Sequence, residues 1–408
     1  MMDGMRLLQS LKIRDFLSYG PQGEPIELLP LNVLIGPNGS GKSNFIQAIS
    51  LLKASPTDIV APIREGGGIA HWIWKGKRER PGAVCEVEAV VAFPEGIMPL
   101  RHRIQLAQVG QGVQLVDEVI ENQNPVGPAY DDAFFFYRYQ RGNPVLNVRE
   151  AVEEPAGGKG GRKERYLRRE DIDPTVSVLS QRKDSDHYPE LTYLGQAYSK
   201  IYLFRNAQIG YLSPLRGPQA VNLPSDFLSE DGSNLGLVLN DMLNRPTLKK
   251  VLLEHLRRFY GYAEDITTRF QTGTIETFLH ERGFMDSTPS IRLSDGTLRF
   301  LCLLAILCHH SPPSLMCIED PEIGLHPDIF PLVAELLVEA SRKTQLIVTT
   351  HSEGLVSALS DRPEAVIVCE RDRDGSHLRR LEPERLTQWL ENYSLGELWR
   401  MGETGGNP

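Results

Sequence analysis

One glycine-rich stretch of the chain has a recognisable chemistry: Gly36-Pro37-Asn38-Gly39-Ser40-Gly41-Lys42-Ser43, with the pattern G-x-x-x-x-G-K-S. The apolar run Leu31–Ile35 before it predicts a short buried strand, and the residues from Asn44 to Lys53 after it predict a helix. A strand, a glycine-rich turn and a helix are the context in which this pattern folds around phosphate. The sequence therefore predicts an α/β fold with a nucleotide-binding loop at residues 36–44.

Each residue type in this loop has its own expected role. The glycines let successive backbone N–H groups surround an anion, and the N-terminus of the following helix, which includes Asn44, favours negative charge. Lys42 is expected to reach the β- and γ-phosphates, and the Ser43 hydroxyl is expected to hold Mg²⁺. ATP and Mg²⁺ are the cofactors that the loop predicts.

The composition is that of a soluble globular protein of more than one lobe. The chain has 408 residues, of which 41% are apolar and 24% charged. It contains no apolar run of about eighteen residues, which a membrane-spanning helix needs. The N-terminus, Met1-Met2-Asp3-Gly4-Met5-Arg6, lacks the apolar core of a signal peptide. We therefore expect a cytoplasmic protein without a membrane partner.

Charge and cysteine usage narrow the function classes further. The five cysteines stand singly without C-x-x-C spacing, which favours packed thiols over a zinc site. The net charge of −9 argues against a uniformly basic nucleic-acid binder, although it leaves a local basic face open. The segment Gly157–Arg169 is such a candidate: it is either a solvated loop or a contact for a nucleic-acid backbone.

Strand patterns dominate the first part of the chain. The runs Leu7–Phe16 and Glu24–Leu29 predict an antiparallel pair before the loop strand. Between Val84 and Arg149 the pattern predicts an inserted antiparallel subdomain with strands at Cys85–Phe93, Leu100–Val109, Val113–Glu121, Phe134–Tyr139 and Val145–Val148.

Helical spacing follows, and then an alternation of strand and helix. Helices are predicted at Tyr188–Phe204, Asn234–Leu243 and Leu248–Tyr260. From Ile291 onward, strands and helices alternate as in a parallel α/β sheet, which needs the loop strand as its partner. The predicted division is an N-terminal ATPase part at 1–60, a β-rich insertion at 61–175, a helical linking region at 176–288 and a C-terminal ATPase part at 289–408.

Three short motifs in the C-terminal part are ordered and spaced as if they served one site. Leu293-Ser294-Asp295-Gly296-Thr297 opens a helix with a hydroxyl and a glycine. The strand Leu315–Ile318 ends in two adjacent carboxylates, Glu319 and Asp320. An imidazole, His351, follows another strand in Val348-Thr349-Thr350-His351-Ser352. From Ser294 to Glu319 is 25 residues and from Glu319 to His351 is 32, which leaves one helix between successive motifs.

With these motifs the chain resembles the ABC-type ATPases, in particular the RecF and SMC-like branch. GPNGSGKS, LSDGT, CIEDPE and TTHS carry the resemblance, together with the opening IRDFLSYG. The chain is also similar to standalone bacterial ATPases related to the ATPase part of OLD-type nucleases. The resemblance implies a P-loop NTPase fold, an ABC-type head with a mixed sheet, which carries an inserted β-rich and helical region.

The resemblance also implies roles for individual residues. Two copies of the chain would form an ATP-dependent homodimer, head to tail, so that Ser294 and Gly296 act on the γ-phosphate held by the other copy. Glu319 would hold Mg²⁺, Asp320 would polarise the attacking water, and His351 would complete the catalytic set. Gln181 is the candidate for contacting Mg²⁺ and the water, with an ordinary surface glutamine as the alternative. Arg64 is either a nucleotide-sensing arginine or a plain surface one.

Two features depart from the pattern of the resembled proteins. The usual order of the strand-end carboxylates is Asp then Glu, and here Glu319 precedes Asp320. Because a misplacement of about 1 Å can cost about a hundredfold in rate, we expect intact ATP binding with slow hydrolysis.

Glu370, Asp372 and Asp374 look superficially like the acids of an appended nuclease, but Asp374-Gly375 is better interpreted as a hairpin turn between Val366–Cys369 and Leu378–Leu381.

Three functions are compatible with these observations. The first is an ATP-gated dimerisation switch in DNA maintenance, repair or defence against foreign DNA, where DNA is a direct partner. The second is the ATPase sensor of a complex whose effector, a nuclease or toxin, is a separate protein. The third is a soluble transporter subunit, which the long insertion between Lys42 and Ser294 and the FLSYG opening disfavour.

Overall fold

The computed structural model describes residues 6–77, 84–127, 132–140, 143–149, 162–166, 173, 175–205 and 213–406. Its strands are β1 (Leu8–Arg14), β2 (Ile26–Glu27), β3 (Leu31–Ile35), β4 (Val84–Val91), β5 (Leu100–Val109), β6 (Gly112–Asn122), β7 (Phe135–Gln140), β8 (Asn143–Arg149), β9 (Arg162–Tyr166), β10 (Ile201–Phe204), β11 (Gln219–Ala220), β12 (Ala263–Gln271), β13 (Thr274–Glu281), β14 (Thr288–Pro289), β15 (Leu315–Glu319), β16 (Gln345–Thr349), β17 (Val366–Arg371) and β18 (Ser376–Arg380). Its helices are α1 (Lys42–Ala54), α2 (Ala61–Glu65), α3 (Ile69–Trp72), α4 (Val178–Gln181), α5 (Pro189–Ser199), α6 (Leu235–Leu243), α7 (Pro246–Phe259), α8 (Asp295–Leu307), α9 (Phe330–Ala340), α10 (Glu353–Ser357), α11 (Pro383–Leu390) and α12 (Leu395–Met401). Within these ranges no helix has the length and apolar character that crossing a bilayer requires.

A six-stranded sheet at the centre of the fold has the order β10-β15-β16-β3-β17-β18. Its first five strands run parallel, and β18 is antiparallel to β17. β3 from the N-terminal part therefore lies between β16 and β17, which come from the last quarter of the chain. The prediction that the C-terminal α/β part joins the loop strand is confirmed.

Both faces of this sheet are buried, as expected for parallel strands. Successive side chains of β3 alternate between two hydrophobic cores: Val33 and Ile35 face one core and Leu34 faces the other. Residues of α6, α7, α8, α9, α10 and α12 build the first core. Residues of α1, α5 and an antiparallel sheet build the second.

The antiparallel sheet contains eight strands in the order β2-β1-β4-β5-β6-β7-β8-β9. The five strands predicted between Val84 and Arg149 are confirmed, but β4 pairs directly with β1. The predicted insertion thus continues the sheet that the N-terminal pair begins. A buried amide joins the two sheets, because Gln345 at the start of β16 accepts from Leu8 N at 2.9 Å and donates to Leu8 O at 2.7 Å.

Two regions differ from their sequence-based predictions. The predicted helix Tyr188–Phe204 is α5 followed by β10, because Ile201-Tyr202-Leu203-Phe204 pairs in parallel with β15. The region 176–288, predicted as helical, also contains the hairpin of β12 and β13. Of the basic segment Gly157–Arg169, the backbone of Arg162–Tyr166 forms β9, and the other residues lie outside the described part of the chain.

Candidate active site

The glycine-rich loop lies where predicted, between the end of β3 at Ile35 and the start of α1 at Lys42. Gly39 and Gly41 have positive φ angles of 78° and 117°, which glycine adopts readily. A Cβ at position 41 would lie 2.5 Å from the Ser376 hydroxyl oxygen, so glycine is also required for space. The Lys42 ammonium donates to Gly36 O at 2.6 Å and to Pro37 O at 3.1 Å, which keeps it folded over the loop.

The FLSYG opening packs directly against this loop. The Ser18 hydroxyl oxygen accepts from Asn44 Nδ2 at 2.7 Å and from the Ser376 hydroxyl at 2.7 Å. The Tyr19 hydroxyl donates to Gly41 O at 3.0 Å. Sequence reasoning singled out the FLSYG opening and Asn44, but it missed Ser376, which has no local motif and comes from β18.

The carboxylates of the strand end lie beside the segment that follows β16. Asp320 has a positive φ of 45°, and its N–H donates to Thr349 O at 3.0 Å. The Thr349 hydroxyl donates to Asp320 Oδ1 at 3.3 Å. Burial raises the pKa of Glu319 above its ordinary value, Arg205 at 3.6 Å opposes that rise, and Asp320 adds to it.

His351 follows β16, the strand between the carboxylate strand β15 and the loop strand β3. Burial lowers the pKa of His351, the Lys42 charge lowers it further, and the Asp320 charge acts in the opposite direction. His351 is therefore within electrostatic reach of both residues. The structure brings the loop, Glu319, Asp320 and His351 together at one edge of the sheet.

The LSDGT motif begins just before α8 and places Ser294 and Asp295, both exposed, at the N-terminus of this helix. The Ser294 hydroxyl caps this helix by accepting from Thr297 N at 3.1 Å. A Cβ on Gly296 would lie 2.9 Å from Gly324 O, so glycine allows the strand-end segment to approach the helix. Arg216 stabilises the start of α8, because it donates to Leu293 O at 2.8 Å and forms an ion pair with Asp295.

The structure does not bring Gln181 to this site. Its side chain donates to Val176 O at 3.1 Å and accepts from Asp173 N at 3.1 Å, which closes the local loop before α4. A Cβ on Gly195 of α5 would lie 3.8 Å from both Leu179 O and Pro56 Cβ. Pro56 follows the end of α1 that is remote from the glycine-rich loop, and a helix of 13 residues is about 20 Å long. The surface-glutamine alternative describes this position better.

Arg205 lies beside Glu319 instead. It directly follows β10, the neighbour of the carboxylate strand, and its Nη2 donates to Gln47 Oε1 at 3.3 Å. Gln47 is one helical turn beyond Ser43 on α1, so Arg205 connects the carboxylate edge to the loop helix. Neither residue was named from the sequence, because neither belongs to a motif.

The residues present fit a phosphate chain and Mg²⁺. Asn38, Gly39 and Ser43 are exposed, and a Cβ at Gly39 would meet no atom within 4 Å. The Ser40 hydroxyl is buried without a hydrogen-bond partner among the described residues, as expected of a group that serves a ligand. The Ser43 hydroxyl and the Glu319 carboxylate offer the oxygen ligands that Mg²⁺ prefers.

Other candidate sites are weaker. Asp241, His309 and His310 bring one ligand atom each within 4.8 Å of one another, but Arg245 holds both Asp241 oxygens, at 3.0 and 3.4 Å, and its charge disfavours a cation. The five cysteines are free, as predicted. Arg64 pairs with Asp58.

The hairpin predicted at Asp374-Gly375 is confirmed. Asp372 N donates to Gly375 O at 3.0 Å in the turn between β17 and β18. The Asp372 side chain binds the turn itself, because Oδ1 accepts from Asp374 N at 2.7 Å and from Gly375 N at 3.1 Å. The Asp372 carboxylate thus stabilises the turn, while Glu370 Oε1 accepts from Gly406 N at 2.8 Å.

Comparisons with known proteins agree with the geometry. Residues 31–91 and 130–357, more than half of the chain, match the family described as "AAA domain, putative AbiEii toxin, Type IV TA system". No curated protein matches the chain. The chain is similar to the crystal structure of an Smc head bound to the C-winged helix domain of ScpA, with 15% identity, a TM-score of 0.55, and coverage of 93% of this chain and 99% of that one.

A second solved structure has a similar fold. It is an Smc head domain with a coiled coil and joint derived from Pyrococcus yayanosii, with 12% identity, a TM-score of 0.50, and coverage of 94% of this chain and 99% of that one. These likenesses confirm the mixed-sheet head fold that the motifs predicted. The chain belongs to the AAA family described above, and is thus an AAA-type ATPase built on the fold of the SMC head.

Proposed function

We propose that the chain binds ATP with Mg²⁺ at residues 36–44, hydrolyses it slowly, and closes into a head-to-tail dimer when ATP is bound. The observation that carries this proposal is the division of the motifs within one copy. The glycine-rich loop, Glu319, Asp320 and His351 share one edge of the sheet. Ser294 instead lies exposed at a helix N-terminus, and its hydroxyl forms hydrogen bonds within its own turn, to Thr297 N and Oγ1, and to nothing else in the described part of the chain. A second copy can therefore offer this N-terminus to the bound γ-phosphate.

Each residue has a distinct task in hydrolysis. Lys42 exchanges its bonds to Gly36 O and Pro37 O for phosphate oxygens. Ser43 and Glu319 would hold Mg²⁺, which would neutralise charge on the phosphates. Asp320, fixed by the Thr349 hydroxyl, accepts the proton of the attacking water, and His351 donates to the γ-phosphate from the neighbouring strand. We assign Gln181 no task, since its amide is bound to the loop before α4.

The test is the mass of Asp320→Asn protein in solution with and without ATP and Mg²⁺. The substitution removes the proton acceptor, while the backbone bond from Asp320 N to Thr349 O remains. We expect a monomer without ATP and a dimer with it. The double variant Lys42→Ala/Asp320→Asn is the matched control, and it should stay monomeric. If Asp320→Asn is a monomer both with and without ATP, the dimer proposal is wrong.

We propose that the protein acts in defence against foreign DNA. It either binds DNA directly or, as the second candidate, acts as an ATPase sensor with a separate effector protein. The family description names a putative toxin of a type IV TA system, which favours defence over repair. The Smc head of the similar crystal structure is bound to a domain of another protein, ScpA, and this supports a protein partner here as well.

An experiment with duplex DNA distinguishes direct DNA binding from a sensor with a separate effector. Stimulation of ATP hydrolysis by DNA, with an affinity that falls as salt rises, would support direct DNA binding. Absence of binding at low salt would support the sensor with a separate effector.

A further inference from the structure

Glu322 lies between the segment that follows β15, which carries Asp320, and the segment that follows β16, which carries His351. None of the roles proposed above involves it. It follows β15 by three residues and is 7% exposed. Its Oε1 accepts from the Thr350 hydroxyl and, at 3.1 Å, from His351 N. Its Oε2 is also buried and has no hydrogen-bond partner among the described residues. A buried carboxyl with one unpartnered oxygen is costly, so its presence calls for a physical reason.

Two clamps connect the segment after β15 to the segment after β16. The first is the pair of bonds between Asp320 and Thr349. The second lies just beyond the end of β16 and joins Glu322 to Thr350 and His351. The segment that carries Glu322 is itself a fixed turn, since Ile323 N donates to Asp320 O at 3.1 Å and Leu325 N donates to Glu322 O at 3.0 Å. Among the residues that the structure describes, the bond to Glu322 is the one hydrogen bond that His351 makes outside its own segment.

The simpler explanation is that Glu322 caps α10, which begins at Glu353. The cap of α10 is already made by Ser352, whose hydroxyl accepts from Leu355 N at 3.2 Å. Thr350 contributes to the same turn by accepting from Ser352 N at 3.0 Å. The bonds of Glu322 therefore stop at Thr350 and His351, the residues that precede the helix.

We infer that Glu322 is a positioning residue for ATP hydrolysis: it fixes the backbone of His351 relative to Asp320, and so sets where the imidazole meets the γ-phosphate. This inference rests on the proposed function. Glu322 does not touch the phosphate or the attacking water in this arrangement. Its carboxyl acts as a hydrogen-bond acceptor, and its charge is not required.

The test compares Glu322→Gln with Glu322→Ala. The amide oxygen of glutamine can still accept from Thr350 and His351, whereas alanine cannot. Hydrogen exchange of the backbone amides at 350–356 reports the clamp without any ATP, and steady-state hydrolysis reports its consequence. Glu254→Ala, an exposed glutamate on α7, is the control for the loss of a carboxylate.

For Glu322→Ala we expect faster exchange confined to 350–356, and a kcat lower by about tenfold, as for the loss of one hydrogen-bonded contact in a transition state. KM and the affinity for a fluorescent ATP analogue should stay within about twofold, because the contact serves hydrolysis and not binding. Glu322→Gln should match the wild type in all four measurements. If Glu322→Ala does not fold, Thr350→Val removes one donor of the same clamp, and Thr350→Ser is its control.

Two results would overturn the inference. One is a Glu322→Gln variant that loses as much kcat as Glu322→Ala while its exchange stays normal, since the charge would then act directly. The other is a Glu322→Ala variant with unchanged exchange at 350–356. If the wild type hydrolyses no ATP, the proposed function fails, yet the exchange measurements still decide whether Glu322 holds His351.

Discussion

The Thr349 hydroxyl donates to Asp320 Oδ1 at 3.3 Å, and Asp320 N donates to Thr349 O at 3.0 Å. The carboxylate expected to accept the water proton is thus oriented by the strand that leads to His351. We predict that Thr349→Val lowers kcat about five- to tenfold, the usual effect of losing one such hydrogen bond, with little change in KM. Thr349→Ser keeps the hydroxyl and should retain activity. Equal losses in both variants would show that packing of the methyl group matters instead.

The backbone at Asp320 offers a reason for the reversed order of the two carboxylates. Its φ of 45° lies in the left-handed region, where Asp is enriched among residues other than glycine. We predict that the double variant Glu319→Asp/Asp320→Glu hydrolyses ATP about tenfold faster, because a glutamate reaches further towards the water. The same variant should lose about 1 kcal/mol in its free energy of unfolding, since glutamate tolerates this backbone less well.

Urea unfolding and steady-state kinetics on one preparation measure both effects. A double variant that is slower than the wild type would show that chain length at position 320 does not limit the rate.

Lys42 is expected to dominate ATP affinity. In the structure its ammonium is buried and bound to two loop carbonyls, so it is preplaced for phosphate. We predict that Lys42→Ala weakens binding of a fluorescent ATP analogue about 10- to 100-fold, in the range of charge-assisted hydrogen bonds. Lys75→Ala, at an exposed lysine, is the control and should bind normally. Normal binding by Lys42→Ala would contradict the assignment of the loop.

The head-to-tail arrangement predicts complementation between two inactive variants. Lys42→Ala damages the glycine-rich loop that one copy contributes to a site, and Ser294→Arg damages the LSDGT motif that the other copy contributes. In a mixed dimer one composite site carries both substitutions and the other carries none, so the mixture should regain about a quarter of the wild-type rate. Mixing Lys42→Ala with the double variant Lys42→Ala/Ser294→Arg should restore nothing. An inactive first mixture would mean that Ser294 serves its own chain.

Glu322 should make the stability of the protein depend on pH. Burial raises the pKa of this carboxyl above its ordinary value of 4.5, Thr350 and the His351 N–H oppose the rise, and Asp320 adds to it. Between 4.5 and the raised value the folded state binds more protons than the unfolded state, so stability falls as pH rises through that window. Glu322→Gln cannot lose this proton. The unfolding free energy of Glu322→Gln should therefore exceed that of the wild type above the window, and the two should be equal below it.

Urea unfolding at several pH values between about 4 and 8 measures this difference. Glu254→Gln, at an exposed glutamate on α7, is the control for the loss of a carboxylate. An advantage of Glu322→Gln that shrinks as pH rises would contradict the direction of the pKa.

Local patterns predicted the loop, the strand ends and the parallel half of the sheet, because each depends on residues close together in sequence. Gln181 shows the limit of this reasoning: its position relative to Ser43 depends on how α4 packs near the far end of α1, which no motif encodes. Ser376 was missed for a related reason, and Glu322, although it ends the CIEDPE motif, was given no role. Glu322 acquires its partners only when β15 and β16 pair, and Ser376 only when β18 reaches the FLSYG segment.

The central place of β3 has a consequence for biosynthesis. Its two neighbours, β16 and β17, and the Ser376 hydroxyl that braces Ser18 all come from residues beyond 344. During translation the glycine-rich loop emerges from the ribosome before β16 and β17, so β3 lacks these two neighbours until residues 345–371 have been made. Such long-range pairing folds slowly. We therefore expect the glycine-rich loop to become able to bind ATP only after β16 and β17 have been made and have paired with β3.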